Sequence, residues 1–475
     1  MKVGFISLGC SKNLIDTEVT IGKFKEYKFE IVNNPKEAEI IVINTCGFIE
    51  SAKEEAINTI LEMAEYKKKR CKYLIVMGCL VQRYYDELVK ALPEVDLFLK
   101  IEDYDKMWEK VPFGDGGKKE TCSKTEKRLQ SKKNTENDVN GYKEDEEDFL
   151  PRPKKKLRKL PMFKEQEYLQ RTISTGENYA YLKVGEGCSN FCTYCAIPYI
   201  RGLFISRPME EIIKEAENLA RQGIKELIVI AQDTTKYGVD LYGKSKLAEL
   251  LKKLCKIDGI HWIRFLYSYP EGITDELIQV VKTQEKIAKY FDIPIQHISD
   301  EVLKRMNRKT SKQNIEKLIS KIREEIPDVT LRTSLIVGFP GETKEQFEEL
   351  YDFVEKAKFD KLGVFEYSKE DGTPASKMPN QIHHMTKKSR LNKIMSLQQQ
   401  ISREKMKAKI GTKQEVLIEA KSFDRKYVIG RTKFDAPDID GVVYIKNTDL
   451  KLNQFVTCNI TDFRDYDLVG ETKLV

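Results

Sequence analysis

The sequence predicts an α/β protein with three folded parts: an N-terminal parallel-sheet domain, a central partial TIM-type (β/α)6 barrel and a C-terminal small β-barrel. Three observations support this prediction. Short apolar runs alternate with helical segments up to residue 112, which is typical of a parallel sheet covered by helices. Six more such runs lie between residues 178 and 400, and five short runs of alternating polarity follow residue 411.

The domain boundaries follow from these changes of pattern. We assign residues 1–112 to the N-terminal domain, 174–410 to the central barrel and 411–475 to the C-terminal domain. Residues 113–173 combine low hydrophobicity with an acidic run, Glu144–Asp148, and a basic run, Arg152–Lys159. Such a segment cannot bury enough apolar surface to fold, so it is predicted to be a charged, disordered linker.

The composition is that of a soluble protein. Of the 475 residues, 40% are hydrophobic and 33% are charged, and no run of 18 apolar residues occurs. The N-terminus reads as a strand because it lacks the basic region and small-residue exit of a signal peptide. We therefore predict a cytoplasmic protein without a membrane partner. Ten cysteines in that compartment are more often metal ligands than disulfides, and a net charge of +7 is too modest to indicate nucleic acid.

Three cysteines follow three predicted strands of the N-terminal sheet. The strands are Val3–Leu8, Ala38–Ile43 and Tyr73–Met77, with a fourth at Val95–Leu99. Cys10, Cys46 and Cys79 come shortly after the first three, each next to a glycine. Because the carboxyl ends of parallel strands share one edge of a sheet, these thiols are predicted to converge. They suit a 4Fe–4S cluster with one open iron, and three buried structural cysteines are the alternative.

A second set of cysteines, Cys188, Cys192 and Cys195, follows the first predicted strand of the central barrel. The C-x3-C-x2-C spacing supplies three thiolates, one fewer than a cubane 4Fe–4S cluster binds, so one iron stays open to a ligand that reacts. The alternative is a zinc site. Zinc sites usually pair two C-x2-C steps and add a fourth ligand, and no fourth Cys or His lies near this loop in the sequence.

The spacing and its surroundings resemble the radical S-adenosylmethionine (SAM) methylthiotransferase family. The resemblance rests on EGCSNFCTYCAIPYIRG (residues 186–202), on Ser206-Arg207-Pro208, and on the motifs around the N-terminal cysteines. It covers nearly the whole chain outside the linker. It implies two 4Fe–4S clusters and SAM as cofactors: the second cysteine set holds the cluster that binds SAM, and the N-terminal set holds an auxiliary cluster.

The resemblance also implies how the cofactors divide the reaction. One SAM, cleaved by an electron from its cluster, gives a 5′-deoxyadenosyl radical that abstracts hydrogen from the substrate. Another SAM methylates sulfur held at the auxiliary cluster, and the substrate radical collects the methylthio group. An electron donor such as flavodoxin or ferredoxin is implied as a partner. An unactivated C–H bond has no acidic proton, so a radical carried by a cofactor is the expected route.

Several motifs resemble the branch of the family that methylthiolates the β-carbon of an aspartate in small-subunit ribosomal protein S twelve. They are SLGCSKNLIDTE, NTCGFIESAKEEA, GCLVQRY, AQDTTKYGVD and PIQHISD. Members that modify tRNA adenosine tend toward Gly-Gln-Asn-Val-Asn where this chain has Asp233-Thr234, so a protein substrate is favoured and tRNA is the alternative. A non-catalytic iron–sulfur carrier is a third hypothesis. The basic run of the linker is a candidate contact for ribosomal RNA, although a solvated linker is the simpler interpretation.

The six predicted strands of the barrel end in polar or glycine-bearing residues, where the active site of a TIM-type barrel lies. The strands are Tyr179–Val184, Glu226–Ile230, Trp262–Leu266, Phe291–Ile295, Val329–Val337 and Leu362–Tyr367. The needs of SAM and the resemblance indicate five contacts: Tyr194 and Gly338 for adenine, Gln232 for the amino group, and Arg332 and Ser334 inside the barrel. Structural roles for these residues are the alternative, and His297 is expected to be structural.

The C-terminal pattern resembles a TRAM domain, usually an RNA-binding module. Its predicted strands are Gln414–Ile418, Tyr427–Arg431, Val442–Ile445, Phe455–Ile460 and Asp467–Val469. Residues 413–475 contain ten Lys/Arg and eleven Asp/Glu, whereas a domain that binds RNA phosphates should be clearly basic. We therefore expect its acidic turn, Asp435–Asp440, to suit a basic protein partner. The alternative is a local basic face that the net charge conceals.

Overall fold

The computed structural model describes residues 1–111, 157–446 and 449–472. Within these ranges it contains a five-stranded sheet, two three-stranded sheets and a closed five-stranded barrel. The predicted fold class is therefore confirmed. The acidic run of the linker, Cys122 and most of the basic run lie outside the described residues, and the domain boundaries stay predictions.

The N-terminal domain is a parallel sheet with helices on both faces. Its strands are β1 (Lys2–Ser7), β2 (Glu30–Val32), β3 (Ile40–Thr45), β4 (Tyr73–Gly78) and β5 (Leu97–Leu99), in the order β2-β1-β3-β4-β5. Its helices are α1 (Ser11–Glu26), α2 (Glu50–Ala64), α3 (Cys79–Ala91) and α4 (Met107–Lys110). Strand β3 is buried along its whole length, which explains its continuous apolar run. The sequence did not predict β2, because three residues at a sheet edge are too short to show a period.

Residues 157–173, assigned by sequence to the disordered linker, have a defined structure. They include α5 (Glu165–Leu169), which packs against α1. Leu160, Phe163 and Tyr168 are buried, and the Phe163 ring stacks on Tyr104 at 5.4 Å between centroids. These apolar side chains follow the charged runs in sequence. The prediction of disorder is therefore wrong for this end of the segment, because its burial exceeds what the average composition suggested.

The central domain is an open barrel of six parallel strands, made of two sheets. The first sheet has the order β10-β9-β6 and contains β6 (Tyr179–Lys183), β9 (Glu226–Ile230) and β10 (Trp262–Phe265); the second has the order β11-β12-β13 and contains β11 (Tyr290–Asp292), β12 (Thr330–Val337) and β13 (Lys361–Glu366). A parallel bridge between Ile263 and Ile287 joins the two sheets. The edge strands β6 and β13 therefore flank the open side.

Helices and one short strand pair complete the central domain. The strand pair is β7 (Gly185–Glu186) with β8 (Ile205–Ser206). The helices are α6 (Ile197–Arg201), α7 (Met209–Arg221), α8 (Val239–Tyr242), α9 (Leu247–Leu254), α10 (Asp275–Thr283), α11 (Asp300–Arg305), α12 (Lys312–Glu325), α13 (Lys344–Ala357) and α14 (His384–Lys407). Alternate residues of β6 serve two cores: Ala180 and Leu182 pack toward helices, and Tyr181 joins a cluster that also contains Ile15 and Ala436. One apolar cluster thus connects all three domains.

The C-terminal domain is a closed five-stranded barrel. Its strands are β14 (Lys413–Lys421), β15 (Val428–Thr432), β16 (Val443–Ile445), β17 (Phe455–Phe463) and β18 (Leu468–Glu471), in the cyclic order β14-β15-β16-β18-β17. The core consists of inward-facing residues such as Val416, Ile418, Val428 and Ile460. All five strands overlap those predicted from the alternating pattern, as expected of strands that are buried on one face only.

The acidic turn between β15 and β16 is bound inside the same chain. It lies at the amino-terminal ends of the barrel strands, where Tyr179, the first residue of β6, donates a hydrogen bond to Asp438 Oδ2 at 2.9 Å and Tyr290, the first residue of β11, donates one to Asp440 Oδ2 at 2.7 Å. Lys361 of β13 forms an ion pair with Asp435 at 2.5 Å. The side chains of Asp435 and Asp440 are only 10% and 2% exposed. The expectation that this turn meets a basic protein partner is therefore wrong.

A buried ion network fastens the C-terminal barrel to the central one. Arg431 of β15 contacts Glu226 of β9 at 2.7 Å and Glu419 at 2.7 Å. Glu226 also pairs with Arg264 at 2.8 Å. Because these charges neutralise one another out of contact with water, removing one leaves the others uncompensated. Among the described residues, no helix is long and apolar enough to cross a membrane.

Candidate functional site: two cysteine sets at one domain interface

The N-terminal cysteines lie at one edge of the first sheet. Cys10 follows β1, Cys46 follows β3 and Cys79 begins α3 directly after β4. These three strands are neighbours in the sheet, so the structure brings the three residues to the same edge. Gly9 has a φ of +88°, and a Cβ there would lie 2.6 Å from the Cys46 Cβ. Only glycine therefore lets the Cys10 loop approach Cys46 this closely.

Burial and mutual charge affect these thiols differently. Cys10 is exposed, Cys46 is half-buried and Cys79 is buried. Burial raises the pKa of Cys79 to about 12, although the Arg201 guanidinium opposes the shift. Burial also raises the pKa of Cys46. Such thiols stay protonated until a metal binds and displaces the proton, so metal binding here releases protons.

The second cysteine set lies in a loop between β7 and α6. Cys188 and Cys192 are buried and Cys195 is half-buried. Neighbouring elements hold the loop: Asn190 donates to Asp233 Oδ2 at 2.8 Å, and Asn307 donates to the Phe191 carbonyl at 2.9 Å. The loop is therefore held by the segments that follow β9 and α11. Asp233, which by resemblance indicates the substrate, acts here as a buried acceptor that anchors this loop.

A cation and a phenol face the sulfur of Cys192. The Arg308 Nη1 lies 3.9 Å from the Cys192 sulfur, and the Tyr269 hydroxyl lies 3.7 Å from it. The Arg308 guanidinium also stacks over the Tyr269 ring at 4.1 Å from its centroid. A buried cation beside thiolates favours their charged form. The sequence contained no signal for Arg308, because it lies 116 residues from Cys192.

One arginine connects the N-terminal cysteine set to the barrel. Arg201, at the end of α6, donates from Nε to the Cys79 sulfur at 3.2 Å. Its Nη1 pairs with Asp16 of α1 at 2.7 Å and with Glu186 at 3.1 Å. Lys183 contacts the same two carboxylates at 2.6 and 2.9 Å. Two cations and two carboxylates thus balance one another between the N-terminal domain and the barrel.

The charges of this network are fixed by its own members. Burial alone would raise the pKa of Glu186, but Arg201 and Lys183 outweigh it and lower the pKa to about 2. Burial likewise opposes the charge of Lys183, yet Asp16 and Glu186 raise its pKa above the ordinary value. Glu186 and Lys183 are therefore both charged at neutral pH. Arg201 and Asp16 each stand within a motif of the sequence analysis, but nothing in the sequence indicated that they pair, because they are 185 residues apart.

A second contact closes the interface on the other side. Arg83 of α3 donates to the Gly47 carbonyl at 2.8 Å, next to Cys46, and to Glu370 Oε2 at 3.0 Å. Lys53 of α2 also reaches Glu370, at 3.4 Å, and that carboxylate is buried. Glu370 lies in the loop after β13. The N-terminal cysteine edge and the strand ends of the barrel therefore face each other across one interface.

The predicted SAM contacts have different environments. Gln232 donates to Glu186 Oε1 at 2.5 Å, and its own Oε1 is buried without a hydrogen-bond partner among the described residues. Tyr194 packs beside Met306 and Phe339. Arg332 contacts Asp292 at 2.7 Å and lies 3.8 Å from Asp440. Its ion pairs are thus with a barrel strand and the acidic turn rather than with the cysteine loop.

The two remaining predicted contacts lie on and after β12. Ser334 is half-buried, and its carbonyl accepts a hydrogen bond from Gln296 N at 2.9 Å. Gly338 has a φ of +71°, and a Cβ there would lie 2.3 Å from Lys387 Cγ. His297 is fully buried and accepts from Ser299 N at 3.0 Å. Burial and two nearby arginines lower its pKa to about 3, so it stays neutral.

The arrangement of the cysteines suits iron–sulfur clusters. Each set brings three thiols together, and in each set an arginine contacts one of the sulfurs. Within residues 1–111, 157–446 and 449–472, no three Cys, His, Asp or Glu side chains converge closely enough to hold a single metal ion. A cubane cluster needs its thiolates spread around several irons and is anionic, so cationic neighbours stabilise it.

Comparison with known proteins agrees with this geometry. Family models match three parts of the chain: the Radical SAM superfamily at residues 182–354, Uncharacterized protein family UPF0004 at 2–100, and the TRAM domain at 410–472. A solved radical SAM methyltransferase, TsrM from Kitasatospora setae with cobalamin and a [4Fe-4S] cluster, shares the fold. Its TM-score is 0.50 at 15% identity, and the match covers 77% of this chain and 72% of that one.

Full-length relatives are much closer in sequence. Ribosomal protein uS12 methylthiotransferase RimO of Alkaliphilus oremlandii is 58% identical over 473 residues, or 99% of both chains. RimO of Acetivibrio thermocellus is 49% identical over 471 residues, or 99% of this chain and 98% of the relative. The family resemblance read from the motifs is therefore confirmed. The chain belongs to the RimO family of ribosomal protein uS12 methylthiotransferases, within the radical SAM superfamily.

Proposed function

We propose that this protein replaces a β-hydrogen of an aspartate in ribosomal protein uS12 with a methylthio group. The observation that carries the proposal is that two three-cysteine sets lie on facing sides of one interface, across which Arg201 of α6 reaches Cys79 and Asp16. A reaction that takes hydrogen from carbon and adds sulfur to the same carbon needs two reactive centres on one cavity. Full-length similarity to relatives named for uS12 methylthiotransfer supports the choice of substrate.

The cysteines divide into two ligand sets. Cys188, Cys192 and Cys195 would hold the 4Fe–4S cluster that binds SAM, and Cys10, Cys46 and Cys79 would hold the auxiliary 4Fe–4S cluster. When bound, these clusters and SAM supply the electron, the radical and the methylthio group that protein side chains cannot supply. Arg308 and Arg201 would offset the negative charge of the thiolates, since each points at one sulfur.

The unpaired Oε1 of Gln232 supports its role with SAM. An ammonium group is a donor, and this buried amide oxygen is an acceptor without a partner among the described residues. The amide nitrogen of Gln232 donates a hydrogen bond to Glu186 at 2.5 Å, so the amide oxygen is the atom left for SAM. The other proposed contacts of SAM are Tyr194, Arg332, Ser334 and Gly338. Arg332 would act indirectly, through its ion pair with Asp292 of β11.

The protein framework fixes the relative position of the two centres. Asp16 accepts hydrogen bonds from both Lys183 and Arg201, and these contacts link α1 to the barrel. The acidic turn of the C-terminal barrel joins the amino-terminal ends of β6 and β13, through Asp438 to Tyr179 and through Asp435 to Lys361. It therefore braces the end of the barrel opposite to the cysteine loop.

The remaining partners follow from the substrate. A ribosomal substrate sets the reaction in the cytoplasm, and a small electron-transfer protein such as flavodoxin or ferredoxin would deliver the electron. The basic run Arg152–Lys159 would contact ribosomal RNA near uS12 by attraction to phosphate.

Anaerobic reconstitution tests the proposal. The protein is loaded with iron and sulfide and incubated with SAM, reductant and either a peptide from the target loop of uS12 or an unmodified tRNA anticodon stem-loop. Mass spectrometry should detect a methylthio group on the aspartate of the peptide. The product should be lost in Cys10→Ala and in Cys188→Ala, and kept in Cys255→Ala, which changes a cysteine outside both sets.

Other results would contradict the proposal in different ways. A methylthio group on the RNA and none on the peptide would assign the protein to tRNA adenosine. Iron binding without SAM cleavage would leave a carrier protein and no enzyme. Product formed by Cys10→Ala would remove the auxiliary cluster from the reaction.

A further inference from the structure

Lys12 is a buried lysine without an anionic partner. It lies in the first turn of α1, two residues after Cys10, and only 6% of its surface is exposed. The ammonium lies 3.0 Å from the centroid of the Tyr267 ring. Within the described residues Lys12 has no ion pair, and its side chain has no hydrogen bond. A cation removed from water usually pairs with a carboxylate, so this position needs an explanation.

The carboxylates that could neutralise Lys12 are engaged elsewhere. Asp16, one turn further along α1, pairs with Lys183 at 2.6 Å and with Arg201 at 2.7 Å. Asp292 accepts from Tyr267 N at 2.9 Å and pairs with Arg332 at 2.7 Å. The described structure thus pairs both of these carboxylates with other cations. The Lys12 ammonium is left available for a ligand.

The helix itself makes this position more electropositive. α1 has 16 residues, no acidic residue in its first turn and no side-chain cap at Cys10. A lysine in that turn adds to the positive end of the helix dipole, which normally attracts acidic residues. Both features therefore present positive potential at the same point. Such a site favours an anion.

Tyr267 is held as a platform beneath the ammonium. Its φ is +63°, an uncommon backbone conformation for a side chain of this size. Its N–H donates to Asp292 and its carbonyl accepts from Thr234 N at 3.0 Å. Residues held in such conformations cluster at ligand sites because the surroundings must maintain them. The ring thus places the Lys12 ammonium between the Cys10 loop and the segment after β10.

We propose that the Lys12 ammonium binds the side-chain carboxylate of the substrate aspartate. The inference rests on the proposed function, because it needs aspartate as the substrate. In aspartate the β-carbon is bonded directly to the carboxyl carbon. A β-carbon that approaches both cysteine sets therefore brings its carboxylate beside the Cys10 loop. Lys12 holds that group and turns the β-carbon toward the interface.

Peptide binding to the reconstituted holoenzyme tests this assignment. Two uS12 loop peptides are compared, one with aspartate at the modified position and one with asparagine, which has nearly the same shape without the charge. Fluorescence anisotropy gives the Kd of each. The wild type should bind the aspartate peptide about ten- to a hundredfold more tightly, the range of a charge-assisted hydrogen bond. Lys12→Met should bring the ratio close to one, and Lys12→Arg should restore part of it.

Matched controls separate this role from others. Lys25→Met removes an exposed lysine of the same helix and should keep the wild-type ratio. Equal weakening of both peptides in Lys12→Met would overturn the assignment in favour of a structural role or of a contact with SAM. If the wild type methylthiolates the aspartate peptide and Lys12→Met keeps its preference, the Lys12 assignment fails and the proposed function stands. If the wild type does not modify the peptide at all, both fail.

Discussion

Replacing Glu226 by glutamine should weaken the contact between the central barrel and the C-terminal barrel. Glu226 is fully buried, and its two oxygens lie 2.8 Å from Arg264 Nε and 2.7 Å from Arg431 Nη2. Glutamine keeps the shape and removes the charge, so two buried guanidiniums lose their shared counter-ion. Breaking a buried ion pair in this way costs about 3–5 kcal/mol. We expect about 3 kcal/mol, because Glu419 still pairs with Arg431.

Trp262 reports on this interface directly. Its ring is buried, its Nε1 donates to Glu415 Oε2 at 3.2 Å, and its ring lies 4.8 Å from that of Phe455 in the C-terminal barrel. The chain has two tryptophans, so Trp108→Phe leaves Trp262 as the only tryptophan, and its emission can be excited selectively over that of the tyrosines. Urea unfolding is then followed by its fluorescence. With an m-value of about 1–3 kcal/mol per M, a loss of 3 kcal/mol lowers the midpoint by at least about 1 M.

The pH dependence of the free energy of unfolding provides a second test of this prediction. Burial alone would raise the pKa of Glu226, but Arg431 and Arg264 outweigh it and lower the pKa. A carboxylate with a lowered folded pKa contributes stability above its unfolded pKa of about 4.3. That stability is lost as the pH falls through the folded value. The difference in the free energy of unfolding between wild type and Glu226→Gln should therefore be largest at neutral pH and should decrease in acid.

Glu404→Gln is the matched control. Glu404 forms an exposed pair with Lys358 at 3.1 Å, and exposed pairs contribute little to stability. The reasoning is refuted if Glu226→Gln shifts the Trp262 transition no more than Glu404→Gln does. A difference that grows in acid would refute the assignment of the charge to Glu226.

Three more predictions concern the site. Gln232→Leu should raise the Kd of SAM about tenfold through loss of the free amide oxygen, measured by equilibrium dialysis at equal iron content; an unchanged Kd would exclude Gln232 as a ligand. His297, whose pKa burial lowers to about 3, should show no NMR titration at neutral pH. Because the unfolded chain binds that proton at about pH 6.5, His297 should reduce stability as the pH falls below that value, and His297→Gln should remove this contribution. Arg201→Met should lower the midpoint potential of the cluster proposed to bind Cys10, Cys46 and Cys79, since the cationic donor to the Cys79 sulfur is lost. An EPR redox titration in a Cys188→Ala background measures this potential, and an unchanged value would contradict the prediction.

Local pattern predicted the elements and the cysteine edge well. β3 and β4 are buried strands that end in Thr45 and Gly78, directly before Cys46 and Cys79. The apolar run, the glycine and the cysteine are adjacent in the sequence, so a short stretch of sequence is enough to recognise the pattern. The shared sheet edge then follows from parallel pairing alone. The six strands of the central barrel were predictable for the same reason.

The partners of charged residues were not predictable in this way. Asp16 reads as an ordinary polar residue of α1, yet it is buried between Lys183 and Arg201 of another domain. The acidic turn shows a related failure. Net charge counts Asp435 and Asp440 as surface groups, whereas the structure buries both against the central barrel. Net charge indicates the kind of partner that a surface binds only when the charged side chains are exposed on that surface.

The hydrogen bonds and ion pairs between the N-terminal domain and the chain after residue 156 determine how the protein can be assembled. Glu18 accepts from Ser174 N at 2.7 Å, Lys23 pairs with Glu167 at 2.5 Å, and Arg83 pairs with Glu370 at 3.0 Å. These contacts, rather than the peptide chain through residues 112–156, set the spacing of the two cysteine sets. Two separate polypeptides divided within that segment should therefore find each other and rebuild the same interface. The length of the segment can change without altering the distance between the two centres.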